Sequence, residues 1–178
     1  PSKWANTDWQ DVIFQAGKVS NYQLAATGGS ESVRYAVSGA YFREGGIIVG
    51  NDFERFNLNV KLDANLSRRL RLNLDLTPSY ATTNQRANSG QVSNSGLIGG
   101  ITLPPSVSGA IVMPSLIPVR YANGDYGQPN IDPGLTGSFV LQNIFNPLAN
   151  LEQYHDRTDG TRLWGRMGLD FTLLDGLA

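Results

Sequence analysis

Residues 55–66 read Arg55-Phe-Asn-Leu-Asn-Val-Lys-Leu-Asp-Ala-Asn-Leu66. Phe56, Leu58, Val60, Leu62, Ala64 and Leu66 fall on one parity, with Arg55, Asn57, Asn59, Lys61, Asp63 and Asn65 on the other. Successive side chains of a strand point to opposite faces, so this stretch is a strand with one apolar and one polar face. Residues 70–80 repeat the pattern, with Leu70, Leu72, Leu74, Leu76 and Tyr80 set against Arg69, Arg71, Asn73, Asp75, Thr77 and Ser79, and only Pro78 interrupting the apolar set. Near the end of the chain Leu163, Met167, Leu169, Phe171 and Leu173 alternate with Arg162, Trp164, Arg166, Asp170 and Thr172.

Two further strands precede these, over residues 19–27 and 32–43, joined through Gly28-Gly-Ser-Glu31. A short Gly-rich connection is what an antiparallel hairpin requires. In the second of them Val33, Tyr35, Val37 and Tyr41 share a parity opposite Arg34, Ser38 and the smaller or apolar Ala36, Ala40 and Phe42. No long amphipathic helix is predicted anywhere, so the fold class expected is all-β and antiparallel.

Strand length decides what kind of sheet this is. Residues 56–66, 70–80 and 163–173 each cover about ten residue steps, or about 33 Å, whereas soluble strands usually stop at about 5–6 residues. Tilted by roughly 40°, such a strand rises about 25 Å, the height of the apolar band of a transmembrane β-barrel. The opposite face carries Arg, Lys, Asn and Asp along its length and cannot pack as the core of a sandwich. It suits a water-filled or plugged lumen, and it makes Arg55, Asn57, Asn59, Lys61, Arg71, Asn73, Arg162 and Arg166 the expected lumen-facing residues. Phe53, Phe56, Tyr41 and Tyr80, near the strand ends, are expected to join an interfacial aromatic girdle facing outer-membrane lipid.

The connections alternate in length. Residues 28–31 and 67–69 are short, 44–52 intermediate, and 85–156 very long, the order expected of short periplasmic turns and long extracellular loops. Five strands cannot close a barrel, because the smallest have about eight. The whole chain, 1–178, is therefore expected to be a transmembrane β-barrel fragment, a section excised from a longer protein, with 85–156 a long extracellular loop within it.

Composition narrows the chemistry. The chain has 178 residues, 40% hydrophobic and 16% charged, with one His and no Cys. Thiolate metal sites, cysteine catalysis and sites needing two imidazoles are excluded. A formal net charge of -1 offers no reason to expect a nucleic-acid partner. No run approaches the roughly 18 apolar residues of a membrane-spanning helix.

Several stretches resemble the SusC-like branch of the TonB-dependent outer-membrane transporters. They are Asn6-Thr-Asp-Trp-Gln-Asp11, Asn21-Tyr-Gln-Leu24, Thr27-Gly-Gly-Ser-Glu-Ser-Val-Arg-Tyr35, Ser38-Gly-Ala-Tyr-Phe-Arg-Glu-Gly-Gly-Ile-Ile48, the strand over 52–63, and Asn146-Pro-Leu-Ala-Asn-Leu151. Residues 87–141 carry no part of the resemblance. It implies a bacterial outer-membrane location, a barrel of about 22 strands with a plugged lumen, and coupling to the TonB complex through parts outside this chain. It also implies a SusD-like surface lipoprotein as lid, and import of an oligosaccharide or peptide. No enzymatic step and no cofactor are implied. A passive porin or siderophore-type receptor is the alternative within the membrane class, and a soluble carbohydrate-binding or hydrolytic β domain is the alternative outside it.

Candidate sites are few. His155 in Glu152-Gln-Tyr-His-Asp156 is half of a di-iron motif without its second half, and no metal is expected there. Asn123-Gly-Asp-Tyr-Gly-Gln-Pro-Asn-Ile-Asp132 resembles a calcium loop but lacks the closing bidentate Glu; Asx and Gly are what any turn uses. Gly17-Lys18 lacks the spacing of a phosphate-binding loop. Tyr121 and Tyr126, with Asn123 and Asp125 between them, suit contact with carbohydrate or with the lid, and an inward Trp164 suits stacking on a sugar or against the plug. The lumen-facing cations are expected chiefly to meet plug and ordered water. The segment 97–119, apolar and Pro-punctuated, is expected to help bind the lid lipoprotein. A short helix is expected around 139–145 or 148–154.

Overall fold

The computed structural model describes residues 5–86, 105–129 and 145–173. The polar run at 88–96 and the first of the two expected helices, apart from Phe145, lie outside them. Five strands, β1 (Lys18–Gly29), β2 (Val33–Gly45), β3 (Asp52–Ser67), β4 (Leu70–Gln85) and β5 (Asp156–Phe171), form one sheet in sequence order. The sheet is an antiparallel meander that does not close, so β1 and β5 are its edges. The described residues also form three short helices: α1 (Trp9–Ile13), α2 (Pro105–Val112) and α3 (Pro147–Gln153). Among the described residues no helix is long and apolar enough to cross a membrane.

The chain divides into two compact units. The strand unit holds residues 18–44, 53–83 and 158–173. β3, β4 and β5 are each 16 residues long, and β5 starts at Asp156, seven residues earlier than alternation alone suggests. The reason is that Arg157, Asp159 and Thr161 continue the parity of Leu163 with polar side chains; the backbone ladder continues where the apolar signal stops.

Both short turns are tightly made. At the first, Ser30 N–H donates to Val33 O at 2.6 Å. A side chain on Gly29, at φ 155, would come 2.2 Å from that same carbonyl. At the second, Ser67 Oγ accepts from Arg69 N–H at 3.2 Å. Gly28 leaves room for the Tyr35 ring, whose hydroxyl oxygen would stand 2.5 Å from a Cβ there. Contacts across strands bring side chains of the polar face together. Lys61 meets Asp75 at 3.9 Å and Arg71 meets Asp63 at 3.4 Å. Asn73 Nδ2 donates to Asp170 at 2.8 Å. Exposed pairs of this kind contribute less than about 1 kcal/mol each, so they fix register more than they stabilise.

On the opposite parity many of the apolar side chains are exposed. Leu24 is 82% exposed, Leu163 70% and Met167 69%. One expectation is corrected: Phe53 shares the polar face, where its ring lies 6.0 Å from Phe42. The Arg55 guanidinium stands over Phe42 at 5.8 Å. Phe53 has the parity of Arg55, so it cannot belong to a row that includes Phe56.

The second unit holds residues 5–17, 45–52, 84–86, 105–129 and 145–157. Its core is Trp9, Ile13, Ala110, Met113, Ile117 and Leu151, with Val12, Phe14, Ile48, Val107 and Val119 packed around. The described residues of the long connection thus form a folded body, into which residues 5–17 are built. Asp8 caps α1 by accepting from Gln10 and Asp11 N–H. Trp9 Nε1 donates to Pro114 O at 3.1 Å, and Thr7 Oγ1 to Ile117 O at 2.7 Å.

Candidate functional site

Four of the residues predicted to meet ligand lie on one turn of this second unit. Arg120 and Tyr126 form an antiparallel bridge. Tyr121 N–H donates to Asp125 O at 2.8 Å and Gly124 N–H to Tyr121 O at 2.9 Å. Gly124 has φ +92, a backbone state that glycine adopts without strain. Asn123 and Asp125 close an Asx turn at the tip, Asp125 N–H donating to Asn123 Oδ1 at 3.1 Å and Asn123 Nδ2 to Asp125 Oδ2 at 2.7 Å. Both are exposed.

The hairpin is held by an exposed cluster. Arg120 pairs with Glu152 on α3, its guanidinium lies 4.0 Å over the Tyr126 ring, and the Tyr126 hydroxyl donates to the same Glu152 carboxylate. That carboxylate raises the Tyr126 phenol above its ordinary value; burial adds to the effect and the Arg120 guanidinium opposes it. Tyr121 donates its hydroxyl to Gln128 O at 3.4 Å. Both tyrosine hydroxyls are therefore committed within the fold and one face of the Tyr126 ring is covered by Arg120, while Asn123 and Asp125 stand exposed at the tip.

Asn146 ties the hairpin to α3. It is fully buried. Its Oδ1 accepts from Leu148 and Ala149 N–H at 3.0 and 3.1 Å, capping α3. Its Nδ2 donates to Val119 O at 3.0 Å and Gly127 O at 2.9 Å, gripping both arms of the hairpin. Pro147 follows at the first turn, where a missing N–H costs nothing. Gly127 admits no side chain, because a Cβ would stand 1.9 Å from Pro118 O. An Asn before a Pro is a readable helix start, but the partners Val119 and Gly127 lie about twenty or more residues away and leave no local signal.

Trp164 lies in the strand unit. It is 70% exposed and shares the parity of Arg162 and Arg166. Among the described residues no three His, Asp or Glu side chains gather as metal ligands, and His155 is exposed.

No protein-family model matches the chain. Over 173 residues, 97% of the chain, it is 29% identical to TonB-dependent receptor P3 of Formosa agariphila. Over 173 residues, 94% of the chain, it is 25% identical to TonB-dependent receptor SusC of Bacteroides thetaiotaomicron. Over nearly its whole length the chain is similar to SusC-like TonB-dependent receptors. It spans 16% of the length of each of these two relatives. A shorter match, 32% identical over 80 residues, is to TonB-dependent receptor P26 of F. agariphila. Relatives of this kind are outer-membrane proteins, and the long two-faced strands of this chain fit that location.

Proposed function

We propose that the segment forms about a quarter of the wall of a barrel of roughly 22 strands. The whole protein imports a glycan or peptide across the outer membrane, energised through TonB and closed by a SusD-like lipoprotein. The observation that carries this reading is the common register of β2 to β5: charged and amide side chains share one face, and uncovered apolar side chains share the other over about 25 Å. A polar face of that length suits a lumen, and an apolar face suits lipid. Arg55, Asn57, Asn59, Lys61, Arg71, Asn73, Arg162 and Arg166 then line the passage, with Trp164 among them. The hairpin of Tyr121, Asn123, Asp125 and Tyr126 presents ring faces and amide or carboxylate groups to the outside, the chemistry that contacts sugar hydroxyls. The segment performs no covalent step; its part is to bind and to form the wall of a gated passage.

The test is deletion of the gene encoding the full-length protein, followed by growth on defined polysaccharides and peptides and by purification from outer membranes. The expected result is lost growth on one substrate class and co-purification of a surface lipoprotein. Normal growth on every glycan and peptide, with loss of siderophore-bound iron uptake, would overturn the reading in favour of a siderophore receptor. Unchanged passage of solutes after removal of TonB would favour a passive porin.

A further inference from the structure

The outward-facing parity of the strand unit changes character at the strand ends away from the short turns, and it does so over one side-chain step. The rings of Tyr22 and Tyr41 stack there with centroids 6.4 Å apart; Phe56 follows on β3 and Tyr80 on β4. Beyond this row the same parity turns polar, and the polar groups are bonded across strands. Arg43, two residues past Tyr41, meets Glu54 at 3.2 Å. Asp159 accepts from the Tyr80 hydroxyl at 3.1 Å and from Thr82 Oγ1 at 2.8 Å. On β5 the change falls between Leu163 and Thr161. Two residues of strand advance about 6.6 Å, which is small beside a bilayer. On the other side of the row the same parity carries Leu, Val and Met as far as the short turns.

We infer that the lipid–water boundary of the outer leaflet crosses this chain along Tyr22, Tyr41, Phe56 and Tyr80, and that the headgroups of that leaflet contact the bonded polar groups Arg43–Glu54 and Asp159–Thr82. The inference rests on the barrel reading above and adds the depth at which the wall sits. Its physical basis is twofold. Tyrosine places an apolar ring and a polar tip at the interface, and Tyr80 does both, its hydroxyl turned to Asp159. A charge on the lipid face is penalised steeply at the bilayer centre and little near its edge, so Arg43 and Glu54 belong at the edge, where each also has the other as partner. The occupant is a headgroup layer because the polar set holds both signs of charge with hydroxyls, matching a zwitterionic or cation-bridged surface more closely than an apolar protein face.

The experiment uses the full-length protein in liposomes with single cysteines carrying a bimane dye, on β2 (Tyr41→Cys, Arg43→Cys) and on β5 (Leu163→Cys, Thr161→Cys). Brominated phosphatidylcholine quenches from the lipid and iodide from the water. The expected result is lipid quenching about twofold or more stronger at 41 and 163 than at 43 and 161, with the reverse order for iodide. Lipid quenching that continues undiminished through 43 and 161 overturns the boundary and leaves the barrel standing. Iodide quenching of all four alike overturns the barrel reading itself, and protection of 43 and 161 from both quenchers overturns the headgroup contact in favour of a protein cover. Each labelled variant is first checked for heat-modifiable migration, and the two pairs lie on different strands, so loss of one variant leaves the other pair decisive.

Discussion

Asn146 shows how one buried amide organises a long connection. It satisfies four partners at once: two helix N–H groups and two carbonyls from the hairpin arms. Asn146→Ala removes the cap and orphans two carbonyls, so the second unit should lose about 2–3 kcal/mol. Faster amide exchange at Leu148 and Ala149 in the full-length protein is the readout, and unchanged exchange would contradict the role. Tyr126 gives a pH-dependent test. Its phenol is raised by Glu152, so the fold favours the protonated form. That contribution is fully present below the unfolded value of about 10 and is lost as pH rises through the higher folded value. Tyr126→Phe should therefore differ from wild type in thermal midpoint at neutral pH, and the difference should shrink above about pH 10. Arg120 and Glu152, 32 positions apart, carried no sequence signal of their pairing.

At the scale of the element, the strands were legible because period two is a local property. Phe56 to Leu66 and Leu70 to Leu76 declare their faces without reference to anything else in the chain. Alternation failed as a guide in two ways: polar residues on the apolar parity, Arg157, Asp159 and Thr161, hid the first part of β5, and an apolar residue on the polar parity, Phe53, sat beside Arg55. The register makes a direct prediction. Val60→Arg places a charge on the lipid side, costing about 2–4 kcal/mol near mid-membrane, whereas Asn59→Arg adds one more cation to the polar wall. Folded, heat-modifiable protein in the outer membrane should fall sharply for the first and little for the second; equal losses would contradict the register. The helices were less legible. α1 and α3 are five and seven residues long, too short for a 3.6-residue period to show, although their caps, Asp8 and Asn146, stand plainly in the sequence.

At the scale of the whole molecule, residues 105–119 have acquired a core role that their composition did not announce. Ala110, Met113 and Ile117 are buried against Trp9, Ile13 and Leu151. Deleting 97–119 would therefore unfold the second unit and could not isolate partner binding. Ile111 and Val112, 49% and 44% exposed, are the side chains of α2 left for a partner. Changing both to Asp should weaken binding of the proposed lid lipoprotein roughly tenfold with the fold intact. Co-purification at wild-type yield would show that the lid docks elsewhere.

The sequence by itself determined the two-faced strands, their length, the short turns and the resemblance to a receptor family, because each depends on spacing within about ten residues of chain. Only the tertiary structure decided that Trp9 and the long connection share a core, that Asn146 joins α3 to the hairpin, and that Arg43 meets Glu54 while Asp159 meets Tyr80. Those contacts join positions far apart in the chain or set by the stagger between strands. Their energies depend on a distance in space that no local pattern of residues encodes.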